Sequence, residues 1–231
     1  MIVVAGGCSF TDGETKWPYH LARELNADVI NTGLLSSGNG LISRKIIYRV
    51  SELLKTTKAE DILVGVMWSG SDRHDFYNPD VKVIKRDGWK ENPSSLGPGT
   101  NNCWILLNHH WSSDISKMYY GNFHHEVGSM IYTLEHILRV QWFLKLHNIR
   151  YFMTTFNSYV LPARFRNHDD IKNLYGQVDF TQFLPIDGQY EWANRSGIPY
   201  VGPDQYHPNN EQNKKFTQEI ILPFLKEKNY T

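Results

Sequence analysis

Short runs of β-branched and other apolar residues alternate along this chain with longer stretches of helical period, and that alternation leaves few folds open. It is the pattern of βαβ units around a parallel sheet, because parallel neighbours need a crossover long enough to hold a helix. The strands read from it are Ile2 to Ala5, Asp28 to Ile30, Asp61 to Met67, Arg150 to Phe156 and Pro199 to Val201. Between the first two, Trp17, Leu21 and Leu25 recur every four residues with Pro18 near the start, as in a helix with one buried stripe. A second helix follows Ser36-Ser37-Gly38-Asn39-Gly40 and carries Ile42, Ile46, Val50 and Leu53 on one face. A third carries Val127, Ile131, Leu134, Leu138 and Trp142, and a last one Phe216, Ile220 and Phe224. Helices and about five strands in alternation predict an α/β fold, a three-layer α/β/α sandwich.

At 231 residues the chain suits one domain with a good-sized core. The stretch from about 78 to 125 breaks the rhythm with turn-forming clusters and reads as an irregular insertion after the third strand. Loops leaving strand carboxyl ends build ligand sites in open parallel sheets, so a lid or specificity wall and a self-packed loop are both open for it.

Lys+Arg and Asp+Glu balance at 24 each, which argues against a general electrostatic grip on nucleic acid or an anionic membrane surface. The two cysteines, Cys8 and Cys103, are too few for a disulfide framework and lack zinc-site spacing. Ten histidines include the pairs His109-His110 and His124-His125, but no HxH or HExxH pattern, so neither a metal nor another cofactor is expected. The opening Met1 to Ala5 has no basic region before it and is too short for a signal-peptide core, and no apolar run approaches the roughly 20 residues that cross a bilayer. The expectation is a cytoplasmic protein, or one not exported through a cleavable signal peptide, whose oligomeric state is left open.

The first strand empties into Gly6-Gly7-Cys8-Ser9-Phe10-Thr11. A serine on the turn between a parallel strand and the next helix sits at the sheet's carboxyl edge, near helix amides that favour developing negative charge. Ser9 is there either as a nucleophile or, like Thr11, as a helix cap. A serine is inert without a base, and the other end of the chain supplies one in Gly202-Pro203-Asp204-Gln205-Tyr206-His207-Pro208. On a turn, a carboxylate three residues before a histidine can accept from one ring nitrogen while the other faces outward.

Together "GGCSFTDG", "NTGLLSSGNG", "MWSGSDR" and "DQYHPN" resemble, in order and spacing, the four sequence blocks of the SGNH hydrolase superfamily, also called GDSL esterases and lipases. The resemblance implies a flavodoxin-like α/β/α sandwich and a Ser-His-Asp site that hydrolyses esters, often acetyl esters on carbohydrates. It makes Ser9 the nucleophile, His207 the general base and Asp204 its orienter. Cys8 stands where the GDSL motif has its acid, either as a small core residue or as a rival nucleophile. The family's oxyanion hole takes the nucleophile's N–H, a glycine N–H from the second block and an asparagine side chain from the third. The glycine position falls on Ser36, with Gly38 serving if the loop is shifted. No asparagine stands in the third block, where Ser69 can donate through its hydroxyl and Asp72 is the less suitable alternative. Losing one such donor can cost ~100- to 1,000-fold in rate. Arg73 is a substrate anchor or the ion-pair partner of Asp72 or Asp75, and Trp68 a floor for a sugar or a core residue. The leading expectation is a serine hydrolase for a small acyl ester of a carbohydrate or other small molecule. Its rivals are a catalytically weak or inactive module that binds a glycan or a protein, and an acyltransferase.

Overall fold

The computed structural model describes residues 1–77, 85–86, 89–90, 104–109, 114–200 and 206–231. In chain order its elements are β1 (Ile2–Gly6), α1 (Trp17–Glu24), β2 (Asp28–Asn31), α2 (Asn39–Leu53), β3 (Ile62–Trp68), β4 (His74–Tyr77), β5 (Lys85–Arg86) and β6 (Trp89–Lys90). Then follow β7 (Trp104–Leu107), α3 (Asp114–Asn122), α4 (Glu126–Leu146), β8 (Arg150–Thr155), α5 (Lys172–Tyr175), α6 (Gln189–Arg195), α7 (Asn210–Phe216) and α8 (Leu222–Glu227). Asp204, Val201, Cys103 and His110 lie outside the described residues.

The apolar runs pair in parallel in the order β2-β1-β3-β8, the flavodoxin-like order as far as four strands. Every residue of β3 is buried, which a strand requires when helices cover both faces of its sheet. Two glycines mark where those helices press closest. A methyl at Gly65 would lie 2.7 Å from Trp17 of α1, and one at Gly6 would lie 2.7 Å from Ile46 of α2. Gly65 pairs with Ala5 and Gly6 with Val66, adjacent register positions whose side chains point to opposite faces, so α1 and α2 lie on opposite sides of the sheet. α7 packs beside α1 and α4 beside α2, completing an α/β/α sandwich.

Three features differ from the sequence pattern. Pro199 and Tyr200 are not in a strand: Ile198 and Pro199 give their carbonyls to the Gln212 and Asn209 side chains instead of a neighbouring strand. Among the described residues the sheet's outer edge is met by one isolated bridge, from Phe183 to Met153 of β8. Trp142 is 52% exposed, because successive steps of four overrun the 3.6-residue turn; α4 buries Met130, Leu134, Ile137, Leu138 and Leu144 instead. In the last helical arm a π turn at Thr217–Ile221 inserts one residue, so the next fully buried apolar residue after Phe216 is Ile221 rather than Ile220.

The segment read as irregular carries β7, which pairs antiparallel with β4 just before it, and α3. Trp104 and Leu106 of β7 bury themselves against Leu34 and Leu41 in a small second core. Among the described residues no helix is long and apolar enough to cross a membrane.

Candidate active site

Just past β1 the chain turns back on itself: the Cys8 carbonyl accepts the N–H groups of Thr11 (2.9 Å) and Asp12 (3.0 Å). Only glycine fits at Gly7, where a methyl would come within 2.1 Å of Thr11 Oγ1 and 3.1 Å of the Met67 carbonyl. Two more bonds staple the turn to the loop after β2, from Asn31 Nδ2 to the Thr11 carbonyl (2.7 Å) and from the Leu35 N–H to Asp12 (3.1 Å). Cys8 is buried in the core, whereas Ser9 is partly exposed. Neither Ser9 nor Thr11 caps a helix. α1 begins only at Trp17 with Lys16 as its N-cap, and Thr11 Oγ1 accepts from the Trp17 indole (3.2 Å).

From the far end of the chain, His207 Nε2 lies 2.8 Å from Ser9 Oγ. The turn that carries His207 is pinned by the residues that begin α7. Asn209 and Gln212 form a capping box, and Lys16 Nζ reaches the Pro208 carbonyl (3.1 Å). Asn213, fully buried, donates to the Pro208 and Asn209 carbonyls (2.8 Å each) and accepts from the Trp17 N–H (3.1 Å) and Gln189 Nε2 (3.0 Å). One side chain thereby ties the start of α1, α6 and the histidine turn together. The His207 ring packs against Phe10 (5.0 Å) and Tyr206 (5.4 Å), and Phe10 in turn against Phe156 (5.1 Å).

The candidate oxyanion donors divide. The Ser9 N–H has no hydrogen-bond partner among the described residues. Gly38 is unsuitable: its N–H donates to Asp75 Oδ1 (2.9 Å). Ser36 sits in the left-handed region (φ 67°), a conformation that favours glycine. Ser36→Val is accordingly expected to be less stable than Ser36→Gly by roughly 1–2 kcal/mol in urea unfolding; both lack the hydroxyl, so the comparison isolates the backbone.

Ser69 is fully buried, and Asn39 grips its backbone on both sides, accepting from its N–H (2.8 Å) and donating to its carbonyl (3.0 Å). The Ser69 hydroxyl has no hydrogen-bond partner among the described residues. Asp72 is drawn toward the inserted segment, where it bonds His109 Nδ1 (2.7 Å) while its carbonyl accepts from the Tyr120 hydroxyl (2.6 Å). Trp68 is fully buried in the core, which corrects its place among ligand-contacting residues. Arg73 forms no ion pair within 4 Å among the described residues; its guanidinium lies 5.5 Å over the Phe156 ring.

The reading of the sequence gives Asp75 only as a possible partner of Arg73. Instead its two carboxylate oxygens accept the Gly38 N–H and the Leu41 N–H (2.9 Å each), capping α2 where the N-cap glycine has no side chain. Burial raises its pKa from 3.8 to about 6, against the opposing pull of those amides, Arg73 and Lys45. A carboxylate raised in this way favours folding fully below pH ~4 and loses that contribution as pH rises through 6. The stability of the wild type relative to Asp75→Asn is expected to fall between pH 4 and pH 8 by at most about 3 kcal/mol. Denaturant unfolding across that range reads the slope; a flat difference excludes the buried charge.

A family model described as "Family of unknown function (DUF6071)" matches residues 7–183, a span that takes in Ser9 and ends before His207. Two solved structures are similar to the chain. One is of a protein assigned to the lipolytic G-D-S-L family from Desulfitobacterium hafniense DCB-2, 14% identical, covering 94% of this chain and 95% of that one with a TM-score of 0.40. The other is of a member of the lipolytic protein G-D-S-L family from Veillonella parvula DSM 2008, 11% identical, covering 98% of this chain and 97% of that one with a TM-score of 0.46. No curated protein matches.

Proposed function

We propose, from the premise that this chain belongs to the DUF6071 family of unknown function, that it is a serine ester hydrolase of SGNH type acting on small acyl esters of a carbohydrate or another small molecule. The observation that carries this reading is the 2.8 Å contact between Ser9 Oγ and His207 Nε2, made by residues from opposite ends of the chain. If the hydroxyl donates, Nε2 accepts, and the neutral ring carries its proton on Nδ1. That proton needs an acceptor, the role proposed for Asp204. Ser9 Oγ then bonds to the acyl carbon while its proton passes to Nε2 and on to the departing alkoxide. Water, deprotonated by the same histidine, attacks the acyl-enzyme and regenerates Ser9. The Ser9 N–H, with Ser36 and Ser69, is proposed to receive the oxyanion.

The test is p-nitrophenyl acetate. A burst of nitrophenol followed by slower turnover, absent in Ser9→Ala, supports the reading, and turnover that persists in that variant ends it.

One observation favours a second reading, a weak or inactive module that binds a glycan or a protein: the Gly38 N–H is already spent on Asp75. Glycan binding that survives Ser9→Ala, with no turnover of any ester, would select it.

A further inference from the structure

Between α2, β4 and α4 lies a pocket of about 270 Å³ whose lining includes Arg44, Arg73 and Arg139. None of the three has a carboxylate within 4 Å among the described residues. Arg44 is held over the rings of Trp104 (5.3 Å) and Tyr77 (5.9 Å), and Arg73 over Phe156, with a buried Nη1 that has no hydrogen-bond partner among the described residues. Arg139 Nη2 donates to His136 Nδ1 (3.0 Å). A guanidinium only donates, so Nδ1 accepts and the neutral ring carries its proton on Nε2. That nitrogen lies beside Gly40, where a methyl would come within 3.2 Å of it, so the ring adds an N–H to the wall. Burial, Arg139 and His74 hold His136 neutral by depressing its pKa to about 4.

Asp75 is the one carboxylate among the described lining residues, and each of its oxygens already accepts a backbone N–H of α2. Three guanidiniums against one carboxylate in the same lining leave an excess of positive charge and of donors. Planar guanidiniums match the oxygens of phosphate and sulfate in pairs, which a single ammonium cannot do.

We infer that this pocket is a binding site for a tetrahedral oxoanion, either free phosphate or sulfate or the charged substituent of an ester bound at Ser9. Arg73 joins the two regions, because it lines the pocket and lies over Phe156, whose ring packs on Phe10 beside His207. Binding itself is independent of the ester-hydrolase reading; only the choice between the two sources rests on it.

The experiment titrates inorganic phosphate into the full chain by calorimetry at low ionic strength, with chloride as control. Saturable binding with a dissociation constant on the order of 1 mM or tighter is expected, weakened about 10- to 100-fold in each of Arg44→Gln and Arg139→Gln and unchanged in Ser9→Ala. Both arginines are exposed, so their loss leaves the fold intact. No saturable binding, or binding equal in the arginine variants, overturns the site. The source is read from turnover of p-nitrophenyl acetate and of 4-acetoxyphenyl phosphate, an acetyl ester that carries a phosphate. If inorganic phosphate raises KM for the phosphorylated ester alone, the site serves the substrate; if it binds and changes neither KM, the site takes the free anion.

Discussion

Replacing Ser9 with alanine is expected to cut ester turnover by at least ~10^4-fold, the scale of losing a nucleophile that acts with its base as a unit. The double variant Ser9→Ala/His207→Ala is expected to be no slower than either single one, because once the nucleophile is gone the base has no proton to take. Ser9 is partly exposed and stands on a turn closed by backbone bonds of Cys8, Thr11 and Asp12, so the unfolding free energy is expected to change by less than about 1 kcal/mol. Loss of activity with stability retained separates chemistry from misfolding.

The largest effect on stability is expected at a residue that touches neither Ser9 nor His207. Asn213→Ala removes four hydrogen bonds in a fully buried position, those to Pro208, Asn209, Trp17 and Gln189. Buried groups that lose partners cost ~1–3 kcal/mol each, and some of these carbonyls keep a second donor, so the total is expected near 3–5 kcal/mol. Asn213→Asp does not rescue it, because a carboxylate cannot donate to two carbonyls. The same substitution frees the turn that carries His207. A displacement of about 1 Å there is enough for a loss of ~100-fold in turnover, measured below the melting transition of the variant. Calorimetry and p-nitrophenyl acetate kinetics on one sample test both halves.

How much of this was legible in the sequence follows from whether each feature is local. β-branched runs declare buried strands by themselves, and β1, β2, β3 and β8 fall where those runs lie. Ser9 and His207 could be paired because each stands on a turn at a place the α/β pattern already specifies. Asn213 could not: in the sequence it is a polar residue one turn into a helix, and its four partners come from three separate segments. Asp75 was hidden for the same reason, since it caps a helix that begins 36 residues earlier, at Asn39. Local capping rules look for Ser, Thr, Asp or Asn just before the helix, and the residue there is Gly38. The arginine pocket is likewise assembled from α2, β4's flank and α4, and no spacing within one element betrays it. The phase error at Trp142 and the π turn near Ile221 are failures of periodicity, which carries a helix face only while the helix stays regular.

The most direct test of the central claim is covalent. A fluorophosphonate captures a serine only when a neighbouring base activates it, so mass spectrometry of the labelled protein is expected to find the adduct on the peptide containing Ser9 and to lose it in His207→Ala. A folded protein that gives no adduct at Ser9, or one whose adduct survives the loss of His207, contradicts the account.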